Sequence, residues 1–205
     1  MSEKIASPVS KPLLFAMALI GLTAAWAWMH FSPPLVDKIQ INSIALLATL
    51  YYALVYLPLA LIVLGLGHVC GVRPLQVGPA IARWILFGLI VGVVGLGLSA
   101  MLTRLNGGMT LAAQPLKAGG GLLVLGAALT LFQVLVEELL FRGWLRLVLR
   151  AIFGARAAVV LAALAYALFT MAGNVFAILP FANLVLLGLF LGLLAERSGG
   201  IAAPA

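Results

Sequence analysis

Charge is what this sequence has least of. Charged residues make up 8% of the 205 residues and only five are acidic, while 65% are hydrophobic. So little polar surface cannot clothe a water-soluble globule of this length, and the mean hydropathy of +1.24 points the same way. Cysteine is almost absent: Cys70 stands alone, which excludes an internal disulfide framework and any paired-cysteine metal spacing. It reads as a small packing residue. There are two histidines, His30 and His68. They fall near the ends of the first two apolar stretches, at the outer and inner faces respectively, and read as interfacial residues that cannot easily form one site. No internal repeat is evident, which weighs against an inverted-repeat transporter.

What is present is a series of long apolar runs. A helix crosses the hydrocarbon core with about 20 residues, and six stretches approach or reach that length: 13–31, 44–66, 84–102, 119–136 with a polar continuation, 156–172 and 178–195. The expected fold class is all-α, a polytopic membrane bundle of about six transmembrane helices. Pro33-Pro34, the segment from Gly71 to Pro79, and Asn106-Gly107-Gly108 mark its turns. Gly119-Gly120-Gly121 lacks the ending of a phosphate-binding loop and reads as a flexible entry to the fourth span.

The formal net charge of +7 could suggest a nucleic-acid partner, but the basic residues are scattered through short loops rather than gathered in a patch. They fit the positive-inside bias instead. Lys4, Lys11, Arg73, Arg83, Arg142, Arg146, Arg150, Arg156 and Arg197 share one side if both termini are cytoplasmic, leaving Lys38, Arg104 and Lys117 opposite. The first run resembles a secretory signal only loosely: Ala25-Trp26-Ala27 is a poor cleavage site with bulky Trp28 behind it. A bacterial inner membrane is the expected location and the lipid bilayer the first partner. Gly88 with Gly92, and Gly188 with Gly192, have the small-xxx-small spacing that brings helices close, expected here to serve packing within the chain. Trp26, Trp28, Tyr51, Tyr52, Trp84 and Trp144 lie toward span ends and read as interfacial anchors.

Against this background Glu137-Glu138 stands out, because an ionisable residue at bilayer depth costs roughly 2.5–3.5 kcal/mol on insertion scales and marks a functional site by default. On a helix Thr130, Gln133 and Glu137 fall on one polar stripe, whereas Glu138 lies about 100° around. Arg142 follows Glu138 by four residues, in the order that lets acid and base meet. Glu138 and Arg142 are therefore expected to form an ion pair, with Arg146 and Arg150 extending a cytoplasmic basic face. Glu137 has no such partner on its helix. It is either a proton-exchanging carboxylate in a pocket or a structural one held by Gln133 or another helix.

The run Glu137-Glu138-Leu139-Leu140-Phe141-Arg142-Gly143 resembles the Glu-Glu-x-x-x-Arg motif of the CAAX-prenyl-endopeptidase and bacteriocin-processing (CPBP) family. Further features agree: an aromatic and Leu145 after Gly143, a span ending in Gly173-Asn174, and Ala195-Glu196-Arg197-Ser198-Gly199 after the next. The resemblance covers about residue 129 to the end. Residues 1–118 hold helices of unassigned family, and 119–205 form a CPBP-like core that looks incomplete at its C terminus. The resemblance implies a membrane endopeptidase with a cavity open to the cytoplasm. In active members the first glutamate of the pair, here Glu137, works with histidines from two later helices to activate water, and an asparagine stabilises the oxyanion. The catalytic set carried over is Glu137, Glu138 and Arg142.

The departures are as specific as the match. The family's second motif places histidine four residues after phenylalanine. One register puts Ala167 and Met171 there and another puts Phe169 and Gly173 there, neither offering an imidazole. The third motif, a histidine- and asparagine-bearing helix, is expected after the Glu-Arg-Ser-Gly segment and is not found before Ala205. Three readings follow: a CPBP-type endopeptidase homologue with impaired chemistry, a non-catalytic membrane partner-binding or bacteriocin self-immunity protein, and a small transporter component using Glu137 as a proton or cation site. A membrane peptide or protein is the expected substrate. No cofactor is evident, a divalent metal stays open, and the sequence does not set the oligomeric state.

Overall fold

The computed structural model describes residues 9–39, 41–78, 80–108, 120–171, 177–202 and 204. Among them there are helices and no strand: α1 (Lys11–Phe31), the short α2 (Pro33–Asp37), α3 (Ile44–Val69), α4 (Ile81–Leu105), α5 (Gly120–Glu138), a π-helical segment (Leu139–Leu145), α6 (Arg146–Phe153), α7 (Ala155–Met171) and α8 (Ile178–Ser198). The six expected spans correspond to α1, α3, α4, the α5–α6 run, α7 and α8. Five of these are long and apolar enough to cross a membrane, and α7, with 17 residues, is shorter.

Local sequence explains the boundaries. Pro12 enters α1 in its first turn, where a missing N–H costs nothing. The Ser43 side chain accepts the Leu46 N–H at the start of α3. Gly199, with φ of 72°, takes the left-handed position that ends α8, where a Cβ would be penalised. The remainder of the third loop, residues 109–119, and the Gly173-Asn174 pair lie outside the described residues.

The core crosses residue 119, drawing on α1, α3, the π segment, α6 and α7. Trp144 and Phe141 are its largest fully buried side chains. Gly21 of α1 lets the Trp144 ring and Leu66 of α3 approach, since a Cβ there would lie 2.6 Å from the ring. Trp28 ties α1 to α3 by donating its indole N–H to the Val55 carbonyl at 2.9 Å. Cys70 is buried in this core, as a packing residue should be, and burial pushes its thiol above the ordinary value.

The two glycine pairs behave differently. Gly188 and Gly192 bring α8 onto α7, where a Cβ on Gly188 would lie 3.0 Å from Ala163 and one on Gly192 3.1 Å from Val159. That is the expected packing within the chain. By contrast α4 has no buried residue, and a Cβ on Gly92 would meet nothing within 4 Å. The expectation of internal packing fails there, because α4 keeps its side chains on the bundle's outside. Lipid tolerates this, since its tails are as apolar as the α4 side chains.

Candidate functional site

The site is built on one long helix. The α5–α6 run covers Gly120–Phe153, 34 residues, which at 1.5 Å per residue is roughly 50 Å and exceeds the roughly 30 Å hydrocarbon core. The expected polar continuation of the fourth span is thus a continuous helix carrying both glutamates and three arginines. It is not a regular one. At the end of the π segment the Arg146 N–H reaches back five residues to the Phe141 carbonyl. In an α-helix that N–H would bond the Arg142 carbonyl. Arg146 supplies the substitute itself, donating its side-chain Nε to the Arg142 carbonyl at 3.0 Å. Such widenings recur at functional sites.

The Glu138–Arg142 pair forms as expected. Arg142 donates to Glu138 Oε1 at 2.8 Å, and both side chains are 3–4% exposed. The guanidinium also lies 4.5 Å from the centroid of the Tyr166 ring, adding a cation–π contact. A charge so deeply buried is tolerable only with a partner. Gly143 follows for a steric reason: a Cβ there would sit 2.6 Å from the Pro74 carbonyl oxygen, so the α3–α4 loop closes over the motif only if this residue is glycine.

Arg146 and Arg150 do not extend a solvated basic face. Arg146 is buried, and both guanidinium groups bind Glu196 near the end of α8, Arg150 at 2.5 Å. The physical reason is that α8 folds back along α7 and delivers a carboxylate to the two arginines. The Glu-Arg-Ser-Gly segment therefore locks the helix ends together.

Glu137 is placed differently. Its carboxylate accepts from the Gln133 amide at 2.9 Å and, among the described residues, joins no ion pair. It faces a cavity of about 360 Å3 between α1, α3, α5, the π segment and α7. Gln133 also lines it, together with Tyr56, Phe141, Tyr166, Phe169 and Thr170. Thr130, the third member of the expected stripe, is exposed and does not line the cavity.

The wall from α1 went unread in the sequence. Trp26, Met29 and His30 all line the cavity. The His30 ring stacks on Trp26 with centroids 5.3 Å apart and an interplanar angle of 11°. His68 is not among the lining residues. Interfacial position and cavity lining turn out to be compatible for His30: it sits in the last turn of α1, exposed yet bordering the space that Glu137 faces. Residues 26, 29 and 30 share a helical face, but nothing in the sequence says which helix that face meets.

Residues 119–205 match the family described as type II CAAX prenyl endopeptidase Rce1-like. Over that segment the chain is similar to CAAX-protease-type proteins, and five of its helices are long and apolar enough to cross a membrane. No curated protein and no solved structure matches it. The CPBP resemblance read from the Glu-Glu-x-x-x-Arg motif is borne out over that segment. Yet the Rce1-like segment does not enclose the cavity by itself, since Trp26, Met29, His30 and Tyr56 come from α1 and α3.

Of the two positions where the CPBP pattern expects histidine, Met171 ends α7 and Gly173 lies outside the described residues, while Ala167, at the phenylalanine position of the first register, is fully buried. Among the described residues no group of three or more His, Cys, Asp or Glu side chains is placed to hold a metal ion. Glu138, committed to Arg142, does not supplement Glu137 as a donor. The described residues therefore do not offer a full ligand set for a resident metal.

Proposed function

We propose that the chain is a membrane endopeptidase homologue of the CAAX-protease type, with Glu137 as the general base and hydrolysis slowed by the lack of a second-motif histidine. The observation that supports this most is the division of labour between neighbouring glutamates. Glu138 is neutralised by Arg142, whereas Glu137 faces a cavity able to admit water and part of a peptide.

In the proposed step Glu137 takes a proton from water as its oxygen attacks the peptide carbonyl, and the proton then passes to the departing amine. Gln133 orients the carboxylate through its 2.9 Å bond. Tyr56 and Tyr166 line the same space and carry hydroxyls that could donate to a developing oxyanion. A single base without an imidazole partner gives only part of the usual acid–base advantage, roughly 10²–10⁴-fold per positioned group.

The test is cleavage of a membrane peptide by purified, lipid-reconstituted protein, comparing wild type with Glu137→Gln. Slow turnover lost in the variant is the expected result. Fast Glu137-dependent turnover would overturn the impairment, and turnover unaffected by the substitution would remove Glu137 from the mechanism. No cleavage of any peptide would leave the partner-binding or self-immunity reading in its place.

A further inference from the structure

Hydrolysis does not explain the walls of the cavity. Five of its lining side chains are aromatic, Trp26, Tyr56, Phe141, Tyr166 and Phe169, and they share it with the Glu137 carboxylate. Among the described residues no lysine or arginine lines it. The nearby Arg142 is held by Glu138 at 2.8 Å, so Glu137, when ionised, is the carboxylate that faces the cavity with no ion-pair partner among the described residues. Aromatic faces carry the negative part of the ring quadrupole, and in a desolvated setting they attract alkylammonium groups as well as shelter them. Tyr166 already accommodates one cation, the Arg142 guanidinium 4.5 Å from its centroid.

We propose that this cavity binds the alkylammonium group of an organic monocation, with Glu137 as counter-charge and the aromatic side chains as walls. A volume of about 360 Å3 suits a headgroup of a few heavy atoms and lies at the small end of ligand pockets, which run from about 300 to 1,000 Å3. A divalent metal ion is a poor fit for the same walls, because hard cations take several oxygen ligands. His30, on the rim, supplies an acceptor for a primary ammonium when its imidazole is neutral. The site would function whether or not the chain cleaves peptides, and its test is independent of turnover.

The test compares choline with 3,3-dimethyl-1-butanol, its uncharged carbon isostere, on the full chain in a choline-free maltoside detergent. Trp26 stacks in the wall, so saturable change in tryptophan fluorescence is the readout, with Trp26→Phe identifying the signal. Choline is expected to bind at least about tenfold more tightly than the isostere, the factor that 1.4 kcal/mol of charge-dependent attraction gives. In Glu137→Gln the choline preference should collapse while binding of the isostere is unchanged. A parallel titration with N-acetyl-lysine methylamide distinguishes sources: tighter binding of this primary ammonium assigns the site to a lysine of a peptide, and tighter binding of choline to a quaternary headgroup. Equal affinity for choline and isostere in the wild-type protein would overturn the proposal even if Glu137→Gln fails to fold. So would the absence of saturable binding by either ammonium, or an unchanged choline preference in the folded variant.

Discussion

Removing Arg142 alone would strand the Glu138 carboxylate in a setting only 3% exposed, and that sets the residue-scale expectation for the motif. Breaking a buried pair by deleting one partner costs about 3–5 kcal/mol, whereas replacing both members with apolar residues of similar volume is often close to neutral. Arg142→Met should therefore lower the thermal midpoint in detergent sharply, and Glu138→Met with Arg142→Met should recover most of the loss. A double variant no more stable than the single one would show that Arg142 acts chiefly through Tyr166 packing. Glu137→Gln, by contrast, keeps the side-chain volume and an oxygen to accept from Gln133, so its melting should change by less than about 1 kcal/mol. Two glutamates adjacent in sequence thus predict opposite phenotypes, one in stability and one in activity. That division was legible in the sequence, because on a helix the four-residue spacing pairs Glu138 with Arg142 and leaves Glu137 to Gln133.

At the scale of elements, glycines separate helix faces that touch protein from faces that touch lipid. A Cβ on Gly188 would lie 3.0 Å from Ala163 of α7, so Gly188→Leu must spread the α7–α8 pair, at a typical overpacking cost of about 1–3 kcal/mol. A Cβ on Gly92 of α4 would meet nothing within 4 Å, so Gly92→Leu should shift stability by no more than about 0.5 kcal/mol. Thermal melts of the two variants in the same detergent check the pair, and equal destabilisation would mean that α4 packs against protein after all. Both glycine pairs have the same spacing in sequence, so only the partner surface tells them apart. The helices themselves were readable because apolar runs bounded by Pro, Gly and charge leave little choice of register along the chain. The π segment was not, since seven residues of Leu, Phe, Arg, Gly and Trp look like ordinary helix. Nor was the Glu196 clasp, because a carboxylate some 50 residues from Arg146 becomes its partner only through the antiparallel return of α8.

Across the whole molecule the polar features fall at two levels. The start of α1, the end of α6 and the start of α7 meet near Phe15 and Phe153, whose rings are 6.2 Å apart, and there Glu196 binds Arg146 and Arg150. The cavity rim instead carries His30 and Thr170, from the far ends of α1 and α7. If the arginine-rich end is cytoplasmic by the positive-inside rule, the rim of the cavity lies toward the opposite face. That differs from the cytoplasm-facing cavity the CPBP resemblance implies, and the two arrangements can be told apart directly. In a Cys70→Ala background, single cysteines replacing Lys38 between α2 and α3, Thr170 near the end of α7, and Arg73 between α3 and α4 would be exposed to a membrane-impermeant maleimide. In intact cells Lys38→Cys and Thr170→Cys should label, and Arg73→Cys only after permeabilisation. The reverse pattern would invert the topology and turn the cavity rim to the cytoplasm, in agreement with the family arrangement. Labelling of Thr170→Cys together with Arg73→Cys, and apart from Lys38→Cys, would contradict the placing of the α1 and α7 ends around one cavity. The experiment thus tests orientation and cavity direction separately, because Lys38 and Arg73 report the first and Thr170 the second.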